Sequence, residues 1–142
     1  MLSHIPEQIK LIFKDAGGSV HRLIVFLILH STAKNDFTIG PVITDMEGEI
    51  TLTRDFVGKE IARNKEEFPM DYGGDLSDCD LLSVIVESRF DLEERVKRLM
   101  KYYPENANNL LELLADAANG EVGLRKDISL PTDEAIISIS IN

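Results

Sequence analysis

The stretch ITDMEGEITLTRDFVGKEI, residues 43–61, reads as strand, turn, strand and helix in immediate succession. Asp45 and Gly48 stand at the first and last positions of a four-residue turn, where Asp hydrogen-bonds onward to the backbone and Gly tolerates left-handed geometry. That turn is expected to close a hairpin. Beyond it Glu49, Thr51 and Thr53 alternate with Ile50 and Leu52, the period of a strand with one wet face. Thr53 then suits a helix N-cap, Asp55 the first turn at the positive end of the dipole, and Val57 and Ile61 recur at helical spacing.

Toward the N-terminus, VHRLIVFLILHS (20–31) is rich in branched residues and apolar on both alternating faces, as in a central strand covered from both sides. Ahead of it, Ile5, Ile9, Ile12 and Phe13 share one helical face between Ser3, a cap, and the Gly17-Gly18 stop. Residues 4–14 are therefore expected to form an amphipathic N-terminal helix docked on its own domain.

Toward the C-terminus, the helix after the turn fades through the charged residues 63–67 and stops before Pro69. MDYGGDLSDCD (70–80) is a loop, and residues 81–88 return to strand character with Leu82, Val84 and Val86 on one face. Asp91 and Glu94 match a capping box for a helix striped by Leu92, Val96, Leu99, Met100 and Tyr103, with Glu93 spaced to pair with Lys97 and Glu94 with Arg98. Pro104 interrupts, and Leu110, Leu111, Leu114 and Ala118 carry a second helix to Asn119-Gly120. Val122, Leu124, Ile128 and Leu130 then alternate with polar residues. After a turn at 131–134, a last strand presents Ile137, Ile139 and Ile141. The order α-β-β-β-α-β-α-α-β-β, with hairpins at both ends of the set, gives an α+β class. We expect a mostly antiparallel, β-sandwich-like sheet system with an N-terminal helix and inserted helices, in a single domain over residues 1–142.

Of 142 residues, 44% are hydrophobic, enough for a core that needs no staples. Asp and Glu outnumber Lys and Arg by 25 to 15, a formal charge of -10, which repels nucleic acid and anionic membrane and favours either plain solubility or a basic partner. The one cysteine, Cys79, excludes an intramolecular disulfide and a cysteine-rich zinc site. The longest apolar run, 23–29, is too short to span a bilayer and lacks a signal-peptide layout. A cytoplasmic location is the expectation.

GPVITDMEGEITLT (40–53) resembles the strand-turn-strand of transthyretin-like and carboxypeptidase-regulatory-like β-sandwich domains, with Thr44, Asp45, Gly48, Ile50 and Leu52 on the pattern. Residues 20–29 then stand where the first core strand of such domains would stand, and the helices of 91–119 are an addition to it. The enzymatic branch of that family, which hydrolyses a urate-derived ring, carries Tyr-Arg-Gly-Ser at its C-terminus. This chain ends Ser138-Ile139-Ser140-Ile141-Asn142, so the resemblance implies a binding or structural module more than a hydrolase.

Candidate chemistry is sparse. Asp71, Asp75, Asp78 and Asp80 surround Gly73-Gly74 and offer oxygen ligands for calcium, although the spacing is not that of an EF-hand; turn-forming and capping aspartates are the plainer reading. His21 and His30 lie nine residues apart, on opposite faces of a regular strand, so they do not act together. Asp36 is near enough in sequence to orient His30, but no nucleophile elbow accompanies it. Acidic neighbours and a following apolar strand make Cys79 a buried, inert thiol. Arg95, Lys97, Arg98 and Lys101 are accounted for by helix pairing and the helix C-terminus.

The leading expectation is a non-enzymatic binding or protein-interaction module without cofactor, in one version an acidic inhibitor or immunity-type protein with a basic partner. Two others stand beside it: a hydrolase or metal-dependent enzyme using Asp71 to Asp80 with His30, and a calcium-stabilised module. The terminal strand with Ile137, Ile139 and Ile141 also offers an edge for homo-oligomerisation.

Overall fold

A computed structural model describes residues 4–15, 17 and 22–141. Seven strands form two sheets, with three α-helices among the described residues: β1 (Gln8–Asp15), β2 (Ile24–Ser31), β3 (Phe37–Ile43), β4 (Glu49–Thr53), α1 (Arg54–Glu67), β5 (Cys79–Val86), α2 (Arg89–Tyr102), α3 (Ala107–Asp116), β6 (Leu124–Ser129) and β7 (Ile136–Ile141). One sheet has the order β4-β1-β7 and the other β3-β2-β5-β6; every pairing is antiparallel except β1 with β7. The α+β class and the mostly antiparallel sheets hold. No described helix is long and apolar enough to cross a membrane.

The N-terminal helix is replaced by β1. Ile9, Leu11 and Phe13 are buried and alternate with Lys10, Ile12 and Lys14, so the burial period is two. The helical reading joined Ile12 to Ile9 and Phe13, although Ile12 points to the opposite face of the strand from those two. A lone short helix is marginal, whereas the branched and aromatic residues of IKLIF pack well on a pleated surface. As a strand, β1 also gains two neighbours, with Leu11 opposite Ile50 and Ile137. The C-terminal half of the glycine stop, Gly18, lies outside the described residues.

The turn at residues 45–48 forms, but it does not close a hairpin. Asp45 Oδ1 accepts from the backbone N–H of Glu47 at 2.9 Å and of Glu49 at 3.0 Å, and Gly48, at φ 75°, donates to the Asp45 carbonyl at 3.1 Å. The chain nevertheless passes from one sheet to the other here, because β3 pairs with β2 and β4 with β1. The reason lies on the far edge of β3, where α1 occupies the place a hairpin partner would need. Asn64 Nδ2 donates to the Thr38 carbonyl at 2.9 Å, and its Oδ1 accepts from the Thr38 N–H at 3.3 Å. Glu60 Oε1 accepts from the Gly40 N–H at 3.2 Å. Two helical side chains thus do the work of a strand.

The C-terminal hairpin is likewise a crossing between sheets. Leu130 N–H still donates to the Asp80 carbonyl beside β5, Thr132 N–H donates to the His4 carbonyl, and the Ala135 carbonyl already accepts from Lys10 N–H beside β1. The link between β6 and β7 therefore changes its hydrogen-bond partners from one sheet to the other within a few residues.

The inner faces of both sheets meet in one apolar core that includes Leu11, Phe13, Val25, Leu27, Phe37, Ile39, Leu52, Val84, Ile128 and Ile139. The expected double cover of β2 is present: Val25, Leu27 and Leu29 face this core, while Ile24 and Phe26 face outward under Leu92 and Val96 of α2. Leu82, Val84 and Val86 share the buried face as their alternation implied. Thr53 caps α1 by accepting from Phe56 N–H at 3.0 Å, and Val57 and Ile61 are buried.

The second helical region departs in detail. Ser88, not Asp91, is the N-cap of α2, accepting from Asp91 N–H at 3.2 Å. With the helix starting one turn earlier, Arg89 becomes available to Glu93, and Glu94 pairs with Lys97 instead of Arg98. Tyr103 at the end of the expected stripe is 51% exposed, and α3 lays only half-buried Leu110, Leu113 and Leu114 against the sheet. Beyond α3, Asn119 enters the space between β2 and β5: its Oδ1 accepts from Ile24 N–H at 3.0 Å, and its Nδ2 donates to the carbonyls of Ile24 and Glu87.

Asn64→Ala is expected to cost about 1–3 kcal/mol, because it strips the partners from the Thr38 backbone at an edge that α1 covers. Lys65→Ala, one residue along, should stay within about 0.5 kcal/mol. Urea unfolding of the two variants measures the difference.

Candidate functional site

The aspartates of the 70–80 loop serve local structure. Asp75 Oδ1 accepts from Ser77 N–H at 2.9 Å and Asp78 Oδ2 from Asp75 N–H at 2.9 Å, the reciprocal bonds of a capping box on a single 3-10 turn. The hydrogen bonds from Ser77 hold the Asp75 carboxyl below its ordinary pKa. Gly74, at φ 79°, is needed there, since a Cβ would lie 2.3 Å from Asp78 Oδ2. Asp71 takes part through its backbone, donating to the Phe68 carbonyl and accepting from Asn35 N–H. Asp80 points out from β5. Among the described residues, no three His, Cys, Asp or Glu side chains gather as a metal centre requires.

Cys79 follows this loop, buried at the start of β5, its Sγ 3.6 Å from the Asp75 carbonyl. Burial foremost, then the charges of Asp78, Asp75, Asp80 and Asp36, push its pKa up to about 11. At pH 8 that leaves about one thiol in a thousand ionised, so the inert reading of Cys79 holds.

His30 finds different partners from those the loop would have supplied. His21 lies outside the described residues. The ring of His30 projects from the outer face of the four-stranded sheet, with Nδ1 3.0 Å from Asp36 Oδ2 and Nε2 2.8 Å from Ser83 Oγ. Ser83 Oγ in turn lies 2.7 Å from Asp127 Oδ1, and Arg125 Nη2 donates to it at 3.1 Å. Register explains the gathering. Ile28, Ser83 and Asp127 form one cross-strand row, and His30 stands diagonally beside Ser83. None of Asp71, Asp75, Asp78 or Asp80 is a partner of His30. Sequence reasoning missed Ser83, Arg125 and Asp127, and the available signal was a single hydroxyl at an alternate position of the apolar strand LLSVIV.

The order Ser83, His30, Asp36 is the connectivity of an acyl-transfer triad, but its setting is that of a structural clip. Ser83 is 0% exposed. Its one hydroxyl proton has two acceptors, His30 Nε2 and Asp127, so no single base commands it. Strand β5 is paired on both sides, which commits its backbone N–H groups to ladders and leaves no obvious pair for an oxyanion. The hydrogen bond from Ser83, then that from Arg125, depresses the Asp127 pKa.

A groove lies elsewhere, between the two sheets. Helix α1 packs against β3 and β4 and closes one side of the paired sheets; the opposite side ends in β6 and β7. Between those two edges lies a groove of about 780 Å³, lined by Lys126, Ile128 and Ser129 on one bank and by Asp133, Glu134 and Ile137 on the other. Ile136, at its rim, is 64% exposed. The two edges differ in kind. Strand β6 carries Arg125, Lys126 and Asp127 in succession, the charged decoration that deters pairing, while β7 reads IISISI without a charge or a proline. Among the described residues, no strand pairs with the outer edge of either.

A depressed carboxyl pKa stabilises the folded state above the unfolded value and ceases to do so as pH falls through the folded value. Asp127 is therefore expected to titrate below 3.8 in the native protein and to move back toward it in Ser83→Ala, with less of the acid-induced loss of stability arising from this residue. Carboxyl NMR titration of the two proteins tests this; an unchanged Asp127 in the variant would contradict the role given to the Ser83 hydroxyl.

Comparison with protein-family models, curated proteins and solved structures finds no match to this chain.

Proposed function

We propose that this protein is a non-enzymatic protein-interaction module that works through the open side between β6 and β7. The observation that carries the reading is the contrast between its edges: β3 is sealed by Asn64 and Glu60 and β6 is blunted by charge, while β7 offers an uncharged, unpaired edge beside a groove. The formal charge of -10 favours a protein over nucleic acid or an anionic membrane as partner, in keeping with an acidic inhibitor or immunity-type role. A second copy of the chain meeting at β7 belongs to the same class of proposal. So does a cytoplasmic location, supported by a lone, buried cysteine. The transthyretin-like reading of residues 40–53 stands as a proposal about the finer fold, supported by two sheets over one core and by the Asp45–Gly48 turn.

Ser138→Lys puts a charge on the β7 edge at an exposed position and is expected to leave the fold intact. Matched affinity captures with the wild type and this variant test the reading. Proteins retained by the wild type and lost from the variant support it, and identical captures refute it.

One observation favours a hydrolase as second reading, namely the Ser83, His30 and Asp36 connectivity. A fluorophosphonate probe decides it. Our reading expects no label at Ser83, and a label there that disappears in His30→Ala establishes the alternative.

A further inference from the structure

We infer that the partner taken on this side is an extended, basic segment of another protein, added as a strand to the outer edge of β7; this rests on the interaction-module reading above. The backbone orientation supplies the first part of the argument. Lys10 N–H donates to the Ala135 carbonyl at 2.8 Å, with Lys10 in register with Ile136. In a parallel ladder, that arrangement turns the backbone groups of residues 135, 137 and 139 toward β1 and those of Ile136, Ser138 and Ser140 outward. The outward set is a ready template for a new strand of about six residues, or about 20 Å.

Side-chain chemistry limits what that strand can be. Ile137 and Ile139 point into the shared core, so alternate residues of an added strand fall above the groove beside Ile128 and gain by being apolar. The residues between them project with Ser138 and Ser140, which are small and exert little steric restriction. Charge then separates the candidate occupants. Asp133 and Glu134 lead into β7 on the groove's lip, against the single cation Lys126, and the whole chain carries -10. A second copy brings the same -10 toward this lip, whereas a lysine- or arginine-bearing segment is drawn to it.

The probe is a short fluorescent peptide alternating lysine and valine, with a peptide of the same length alternating glutamate and valine as its counterpart, both titrated by anisotropy against the full chain. The wild type should bind the lysine peptide at least about tenfold more tightly than the glutamate peptide and lose affinity as salt is raised. Ser138→Pro removes one outward N–H and leaves the ladder to β1 intact, as proline on an edge strand allows. It should weaken lysine-peptide binding about tenfold or more with an unchanged melting temperature. Should that variant fail to fold, Ser138→Lys takes its place. Asp133→Asn with Glu134→Gln should weaken binding and flatten its salt dependence. Equal binding of the two peptides, or undiminished binding by a folded Ser138 variant, overturns the inference. A wild-type dimer in sedimentation that Ser138→Pro dissociates also overturns it, while the interaction-edge reading survives with a second copy as occupant. Absence of both peptide binding and self-association overturns the inference and that reading together.

Discussion

Buried backbone N–H and C=O groups that no neighbouring strand reaches must still be paired, and in this protein that constraint is met by an asparagine side chain at two places, one on a sheet edge and one where a ladder ends. Asn64 serves both backbone groups of Thr38 on β3, and Asn119 serves both groups of Ile24 on β2 while also reaching Glu87. The amide suits this work because it carries a donor and an acceptor in the same plane, as a peptide unit does. Each one decides something larger than its own bonds. Asn64 fixes α1 against β3, which forces the chain after Ile43 to seek a different sheet. Asn119 holds the exit of α3 between β2 and β5, which seats the helical pair on the outer face. All buried side-chain nitrogen and oxygen atoms among the described residues have a hydrogen-bond partner, as such an economy requires.

Closing one side of the sheets and not the other gives the molecule its polarity. Had a helix also covered β6 and β7, the edge of β7 would be withdrawn from any partner. Instead the charges of β6 and the bare edge of β7 stand beside each other, so pairing is discouraged at one edge and permitted at its neighbour. The polar group of His30, Asp36, Ser83, Arg125 and Asp127 lies on the outer face of the same β5–β6 pair. Its members are partly exposed at Asp36 and Arg125 and hold one another in place, Asp36 beside His30 and Arg125 beside Ser83.

Much of the local structure was legible in the sequence. The Asp45–Gly48 turn, the Thr53 cap, the doubly covered strand around Val25 and Leu27, the face of Leu82, Val84 and Val86, and the inert Cys79 all follow from short-range patterns. The failure at Ile9 to Phe13 is instructive, because with three adjacent apolar residues, Leu11, Ile12 and Phe13, a run of five fits both periods. Only the neighbours Ile50 and Ile137 select the strand. The capping error at Ser88 has a similar origin: Ser88 and Asp91 both have capping chemistry, and packing of Leu92 and Val96 on Phe26 chose between them. Of the candidate site, the edge strand and its lack of charge were visible, but the groove was not, since it exists only once β6 and β7 are placed side by side in different sheets.

By itself, the sequence determined which residues turn, cap and alternate, the acidic balance and the absence of a disulfide, because these depend on neighbours a few positions away or on composition alone. Tertiary structure decided which strands pair. Ile43 and Glu49 are six residues apart yet belong to different sheets, while Phe13 and Ile139 lie side by side from opposite ends of the chain. It also decided that Ser83 meets His30 and that β7 is left open. Strand pairing is settled by which edge is already occupied and which apolar face completes the core, and neither quantity has a signature in the local order of residues.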